Sequence, residues 1–409
     1  LREPRLTGGI LTMPRVMEDV VVVDSVRTPF GRAGEKGIFW KTRAEDLAVA
    51  LFKALLERNP ALDPSFIDDS IWGVTQQVKE QGGTLGRMVP ILALGEKGWG
   101  IPGCSIDRMC ASSLTAVGFG VSMIASGMAE CIIAGGVEHM GHLPMGFMRD
   151  LHPRAVEALG DETALVMGQT AENIHDRFPE FTREMADRYA FMSQQKAARA
   201  IQAGKMRDMI VPMTVELPDG MVTIVQEDQT PRPNTTLEAL AALKPAFREN
   251  GRVTAGNACP LTDGAAAVLI TSESKAKALG LEPKMRFVCC GIAGVDPRIM
   301  GTAPVPATKK ALQKAGLKMD DIDVIEINEA FAVQVLYCLD RLGLSADDPR
   351  VNMWGGAIAY GHPLAASGAR LIAFLQRIFK ENSGYRYGIT TLCVGRGQGY
   401  TIIWENLMR

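Results

Sequence analysis

IDRMCASSLTAVGFGVSMIASGMAECIIAGG, residues 106–136, is the stretch whose reading decides the fold. Leu114, Val117, Val121, Ile124 and Met128 recur at steps of three and four, and no charged residue occurs between Ala111 and Ala129. That pattern predicts a helix buried on all sides, which belongs at the centre of a protein. Cys110 stands just before it, where unpaired backbone N–H groups and the positive end of the helix dipole favour a thiolate. A free cysteine is more often a small core residue, so position alone does not make Cys110 a nucleophile.

Outward from this helix, the chain reads as α/β. Val20–Val23 is a β-branched run closed by Asp24, a buried-strand pattern. Residues 42–58 carry an amphipathic helix ended by Asn59-Pro60, residues 68–75 another strand, and residues 131–136 the strand after the Cys110 helix. Gly82, Gly83 and Gly86 lack the GK[ST] ending of a phosphate loop and are read as structural. His139 and His142 sit in GGVEHMGHLPM without a third ligand, so no metal site is expected. From residue 145 to 250 charges, Pro and Asp increase and helices such as 183–202 are half exposed, the pattern of an inserted lobe. The buried-strand style returns at residues 264–271.

The last third repeats the first. LKMDDIDVIEINEAF (317–331) parallels LERNPALDPSFIDDSIWGVTQ (56–76), and HPLAASGARLIAFLQRIF followed by YGITTLCVGRGQG parallels the Cys110 helix and its strand. Repeated order argues for a duplicated α/β unit. A pseudo-twofold arrangement would set the Cys110 helix beside the 365–379 helix, so that His362 and Cys110 meet at their N-termini.

At 409 residues, with 47% hydrophobic and 22% charged residues, the chain fits a soluble globular protein of two or three subdomains. A formal net charge of -2 disfavours nucleic acid as a partner. Eight cysteines without metal-ligand spacing point to reduced thiols and a cytoplasmic-type compartment. The only uncharged run of membrane-span length is the Cys110 helix, whose Ser, Thr and Gly content suits packing inside protein. Residues 1–16 lack a secretory core and read as a disordered lead-in, with Met17 a sensible first residue and a mitochondrial-type presequence the weaker alternative.

Four motifs in order, RMCASS at Cys110, NEAFA at Asn328, GHPLAASGAR at His362 and LCVGRGQG at Cys393, resemble the thiolase superfamily over nearly the whole chain. GGVEHMGHLPM and MGQTAEN most resemble the bacterial 3-ketoacyl-CoA thiolases of fatty-acid β-oxidation. The resemblance implies a duplicated fold of two mixed sheets in an αβαβα layering. Its halves would be 17–144 plus 251–284 and 285–409, with 145–250 as an inserted CoA-binding loop domain. It implies Cys110 as nucleophile, His362 as its base and Cys393 as the second acid/base. His362 with a water held by Asn328 would serve the thioester oxygen, and the N–H groups of Cys110 and Gly395 the tetrahedral intermediate. Arg232 would meet the adenine and phosphate end of CoA, while Met167, Ala255, Cys259, Ala330 and Phe331 line the pantetheine channel.

CoA is then a co-substrate, with no tightly bound cofactor and no metal. A homodimer or homotetramer and a hydratase/dehydrogenase partner subunit are further implications. The alternatives are a biosynthetic acetoacetyl-CoA thiolase, against which Val166 stands where those enzymes have His, and a non-catalytic lipid-binding relative, against which the catalytic set is complete. Departures from the family pattern are Cys259 and Pro260 for Ser and Gly, Ala365 for Gly in GHPxG, and Arg396 for Gly or Leu beside Gly395.

Overall fold

A computed structural model of the chain describes residues 17–147, 150, 152–159 and 165–409; the expected lead-in at 1–16 lies outside them. Strands run in chain order β1 (Val20–Arg27), β2 (Gly31–Arg32), β3 (Asp69–Gly73), β4 (Gly103–Ile106), β5 (Cys131–His139), β6 (Met213–Glu216), β7 (Val222–Val225), β8 (Thr262–Ser272), β9 (Met285–Gly294), β10 (Val324–Ile327), β11 (Tyr387–Val394) and β12 (Gln398–Asn406). The helices are α1 (Ala44–Arg58), α2 (Leu85–Leu94), α3 (Ser112–Ala125), α4 (Pro153–Leu159), α5 (Met167–Arg177), α6 (Arg183–Gln202), α7 (Leu237–Ala241), α8 (Glu273–Leu279), α9 (Pro304–Ala315), α10 (Ala332–Arg341), α11 (Ala357–Tyr360) and α12 (Ser367–Glu381).

The duplication is visible in the pairing. In the first half β3 and β5 are parallel, β5 and β8 antiparallel, and β8 and β1 antiparallel. The second half repeats this with β10 and β11 parallel, β11 and β12 antiparallel, and β12 and β9 antiparallel. Two separate sheets were expected, but the halves are hydrogen-bonded into one path, β10-β11-β12-β9-β1-β8-β5-β3-β4. The junction is slight: β1 meets β9 only at Val21 with Arg286 and Val22 with Met285. A small β6–β7 hairpin stands apart.

Helices make the layers. Helix α3 packs on β3, β5 and β8, and α12 packs on strands of both halves as well as on α3. Helix α1 covers the other side of β8 and β5, and α9 the other side of β9 and β12. Close approach at the centre requires glycine. A Cβ on Gly368 of α12 would fall 2.7 Å from that of Leu114 on α3, and one on Gly136 of β5 would fall 2.2 Å from the Ala365 carbonyl. The Ala369 N–H donates to Ser113 Oγ at 3.0 Å, tying the two helices at their N-terminal turns.

Two sequence expectations change. Helix α3 is not buried on every side, because Phe119 is 49% exposed, and Met128 lies beyond the helix end and is 74% exposed. Strand β1 does not stop at Asp24 but runs to Arg27. Its polar residues are buried by distant partners: Asp24 accepts from Arg58 at 2.6 Å, and Arg27 pairs with Asp228 at 2.6 Å. Helix α6 spans the predicted 183–202, with Thr182 Oγ1 capping Met185 N–H.

Candidate active site

Cys110 lies in the short turn Met109–Ala111 that leads into α3, and it is 5% exposed. Its own N–H and that of Gly395, in the β11–β12 turn, are directed at the sulfur. Those two donors favour a thiolate, as the helix-terminus reading expects, but burial outweighs them and pushes the thiol up to about 12. The helix terminus thus favours the thiolate as expected, while burial leaves a proton on the sulfur for a base to remove. Desolvation disfavours the charged form more than two amide dipoles stabilise it, and the nearby carboxylates of Glu138 and Asp107 add to the effect.

His362 precedes α12 and is held on three sides. Its N–H donates to Thr262 Oγ1 at 3.2 Å, its Nδ1 lies 2.5 Å from Ser367 Oγ, and its Nε2 lies 3.4 Å from Asn328 Nδ2. The amide nitrogen of Asn328 can only donate, so Nε2 is the acceptor and the ring proton sits on Nδ1, donated to Ser367. Burial, with the Arg370 charge, lowers the imidazole to about 3. His362 is thus a neutral ring with a free-electron pair on Nε2, the form a general base needs. Asn328 follows β10, and its orientation is set by Arg370 Nη2, which donates to Asn328 Oδ1 at 3.3 Å.

Cys393, in the last turn-facing part of β11, is completely buried. Burial raises its thiol well above the ordinary range, and the neighbouring sulfurs of Cys110, Cys338 and Cys259 act in the same direction. Cys259 is pushed up to about 12 by burial, next by Cys110. Cys110, Cys393 and Cys259 thus lie near enough for Cys110 to raise both other thiols, and the Met109–Ala111 turn packs on the Leu364–Ala366 turn that follows His362.

The CoA-channel residues divide. A cavity of about 410 Å³ has Cys110 in its wall together with Met167, Val166, Phe147 and Arg396. A second, also about 410 Å³, is lined by Arg232, Ala255, Pro260, Leu243 and Ile358. Ala330 and Phe331 are buried and line neither; the Ala330 carbonyl accepts from Cys259 N–H at 3.0 Å. Ala365 fits without strain because its backbone is not in the left-handed region, and its N–H faces the buried Glu138 carboxylate at 3.4 Å.

The residues that sequence reading missed are Ser367, Thr262, Arg370 and Glu138. Ser367 and Arg370 lie within the quoted GHPLAASGAR, but their roles follow from contacts that spacing alone does not reveal. The His139–His142 pair does gain a third group, since Glu80 brings a carboxylate within 4.8 Å of both. It still makes a poor metal site. The rings are stacked at 3.7 Å and 12°, so one ion cannot lie in both ring planes, and His139 Nδ1 already accepts from His142 N–H at 3.0 Å.

A buried thiol with two amide donors on its sulfur and a second buried thiol near it, in a turn packed on the one that follows a neutral imidazole, suits acyl transfer through sulfur, and an acyltransferase is the class this fold and site point to. The family patterns for the thiolase N-terminal and C-terminal domains match residues 20–274 and 281–406. The 3-ketoacyl-CoA thiolases of Escherichia fergusonii and Cronobacter sakazakii are 44% and 45% identical over 393 residues, covering 96% of this chain and all of theirs. Among solved structures, an acetyl-CoA acetyltransferase of Bacillus anthracis is similar at TM-score 0.86 and 36% identity, and human mitochondrial 3-ketoacyl-CoA thiolase at 0.85 and 35%. Each alignment covers 96% of this chain and 100% of the other. The chain belongs to the thiolase family.

Proposed function

We propose that this thiolase cleaves 3-ketoacyl-CoA with a second CoA, giving acetyl-CoA and an acyl-CoA shortened by two carbons. The observation that carries the reading is the convergence of the Cys110 and Gly395 N–H groups on the Cys110 sulfur beside a cavity shared with Met167.

Cys110 passes its proton to His362 Nε2 as the sulfur attacks the keto carbon. The tetrahedral oxyanion collects the two N–H groups that in the empty site point at sulfur. The bond between the α and β carbons then breaks, and its electrons pass to the enolate of the departing acetyl-CoA. His362, now carrying the proton on Nε2, and Asn328 stabilise the thioester oxygen. Cys393 supplies the proton to the enolate carbon, a donation suited to a thiol that burial keeps protonated. The incoming CoA thiol gives its proton to Cys393 and attacks the acyl-Cys110 thioester. Cys110 leaves, recovering its proton from His362. Every group ends as it began.

CoA is a co-substrate in this scheme, and no resident cofactor takes part. Arg232 is exposed, and its guanidinium has no partner among the described residues, which suits the phosphate end of CoA. We take residues 145–250 as the lobe that holds it. A homodimer is supported by β4, which ends the sheet with an open edge, and by Leu92, Trp99 and Phe119, each about half exposed or more, on adjoining elements. A hydratase/dehydrogenase partner and a reducing, cytoplasmic location complete the reading; the need to keep Cys110 and Cys393 reduced supports the latter. No helix among the described residues is long and apolar enough to cross a membrane.

The test is product analysis with a series of 3-ketoacyl-CoA thioesters and free CoA. Acetyl-CoA plus the shortened acyl-CoA is expected from chains longer than acetoacetyl. Turnover of acetoacetyl-CoA alone would favour the acetyltransferase reading instead.

A further inference from the structure

We infer that Arg396 recognises a negatively charged end of the acyl chain, so that the preferred substrates include 3-ketoacyl-CoA thioesters whose chains terminate in a carboxylate. This rests on the 3-ketoacyl-CoA reading above and names the substrate class of the same site.

Three observations carry it. Arg396 lines the cavity that reaches Cys110, and the rest of that wall includes Met109, Met145, Phe147, Leu165 and Leu364. It is held there by the backbone: Gly395, its immediate neighbour, directs its N–H at the Cys110 sulfur, and Arg396 itself sits at φ 67°, a left-handed conformation that a non-glycine residue adopts at a cost. A side chain kept in a strained turn beside the nucleophile has a fixed starting point and a short reach into the cavity. Lastly, its guanidinium forms no hydrogen bond or ion pair among the described residues. Asp107, an acid on the same cavity wall, feels its charge but makes no ion pair with it, and Asp107 Oδ1 accepts from the Met109 N–H at 2.7 Å.

In the empty site Arg396 is exposed and water satisfies it. An acyl chain that fills the cavity displaces that water. A plain alkyl chain offers the guanidinium nothing in return and leaves a desolvated charge, whereas a terminal carboxylate gives it a charge-assisted and potentially bidentate partner. The phosphates of CoA cannot be that partner, because a whole pantetheine arm separates them from the thioester next to Gly395. The free cation of the second cavity, Arg232, is placed for them instead.

The experiment compares 3-ketosuberoyl-CoA with 3-ketooctanoyl-CoA, equal in length and differing in the terminal carboxylate, on the full-length enzyme and on Arg396→Leu. In the unaltered enzyme kcat/KM for the carboxylated substrate should exceed that for the alkyl one by about tenfold or more. In Arg396→Leu the ratio should fall to near one or invert, mostly through KM of the carboxylated substrate. Arg396→Lys, which keeps the charge, should retain part of the preference. Equal kcat/KM values in the unaltered enzyme, or a ratio unmoved by Arg396→Leu, would overturn the inference. So would a methyl ester of the suberoyl chain reacting as well as the free acid. If neither thioester is cleaved, it is the 3-ketoacyl-CoA reading that fails. Thermal melting of both variants establishes that they fold; glycine at the same position, compatible with the left-handed turn, serves where leucine does not.

Discussion

Replacing Ser367 by alanine isolates the device that sets the tautomer of His362. In the native arrangement Nδ1 donates to Ser367 Oγ, leaving Nε2 to accept. Alanine leaves a buried N–H unsatisfied, a penalty of about 1–3 kcal/mol. The ring then gains from moving its proton to Nε2, the atom that must be empty to accept the Cys110 proton. If that whole penalty falls on the acylation step, the rate drops about 5-fold to 150-fold at 1.36 kcal/mol per decade. Single-turnover acylation with 3-ketodecanoyl-CoA in the absence of free CoA reads the step directly. The acylation rate should fall by that factor with substrate affinity little changed, and Ser367→Thr should restore much of it. An alanine variant that folds and acylates at the native rate would refute the tautomer argument.

Two further predictions concern charge and packing. Because burial lowers His362 to about 3, its neutral, proton-accepting form persists as pH falls and is lost only near that value. The pH profile of kcat/KM should therefore show no acid limb near the ordinary histidine value of about 6.5; a limb with its midpoint there would contradict the assignment. Gly136→Ala places a Cβ 2.2 Å from the Ala365 carbonyl and should cost about 1–3 kcal/mol of stability, seen as a lowered thermal midpoint. Gly100→Ala meets nothing within 4 Å and should leave the midpoint unchanged or slightly raised, so equal effects of the two would refute the packing account.

The sequence made the central helix legible because its periodicity and lack of charge are local properties, and the duplication followed from the repeated order of such local patterns. Helix α6 was bounded correctly for the same reason, since its capping threonine stands next to it in the chain. What depends on distant partners was not legible. Asp24 looked like the end of β1 because nothing nearby shows that Arg58 and Arg377 will bury it. Glu80 lies some sixty residues before His142, yet its carboxylate reaches the imidazole at 2.9 Å. For Cys110 the helix terminus is visible in the sequence, but the degree of burial that outweighs it emerges only from the packed fold.

The site shows the same division. Cys110, Asn328, His362, Cys393 and Gly395 were singled out by their motifs; Cys393 lies in β11, and the others come from turns after β10 and β11 and before α3 and α12. Ser367, Thr262 and Arg370, which hold His362 and Asn328 in place, became apparent only through their hydrogen bonds. For the proposed CoA channel, one motif-based set splits between two cavities, and Ala330 and Phe331 are buried and line neither.

The central claim is that an acyl group is carried on Cys110. Intact-mass analysis of the enzyme mixed with 3-ketodecanoyl-CoA, without free CoA, followed by peptide mapping, tests it most directly. The account predicts one octanoyl group on the peptide containing Cys110, discharged as octanoyl-CoA when CoA is added and absent from Cys110→Ala. A folded enzyme that releases acetyl-CoA without forming that adduct, or that carries the acyl group on another residue, would contradict it.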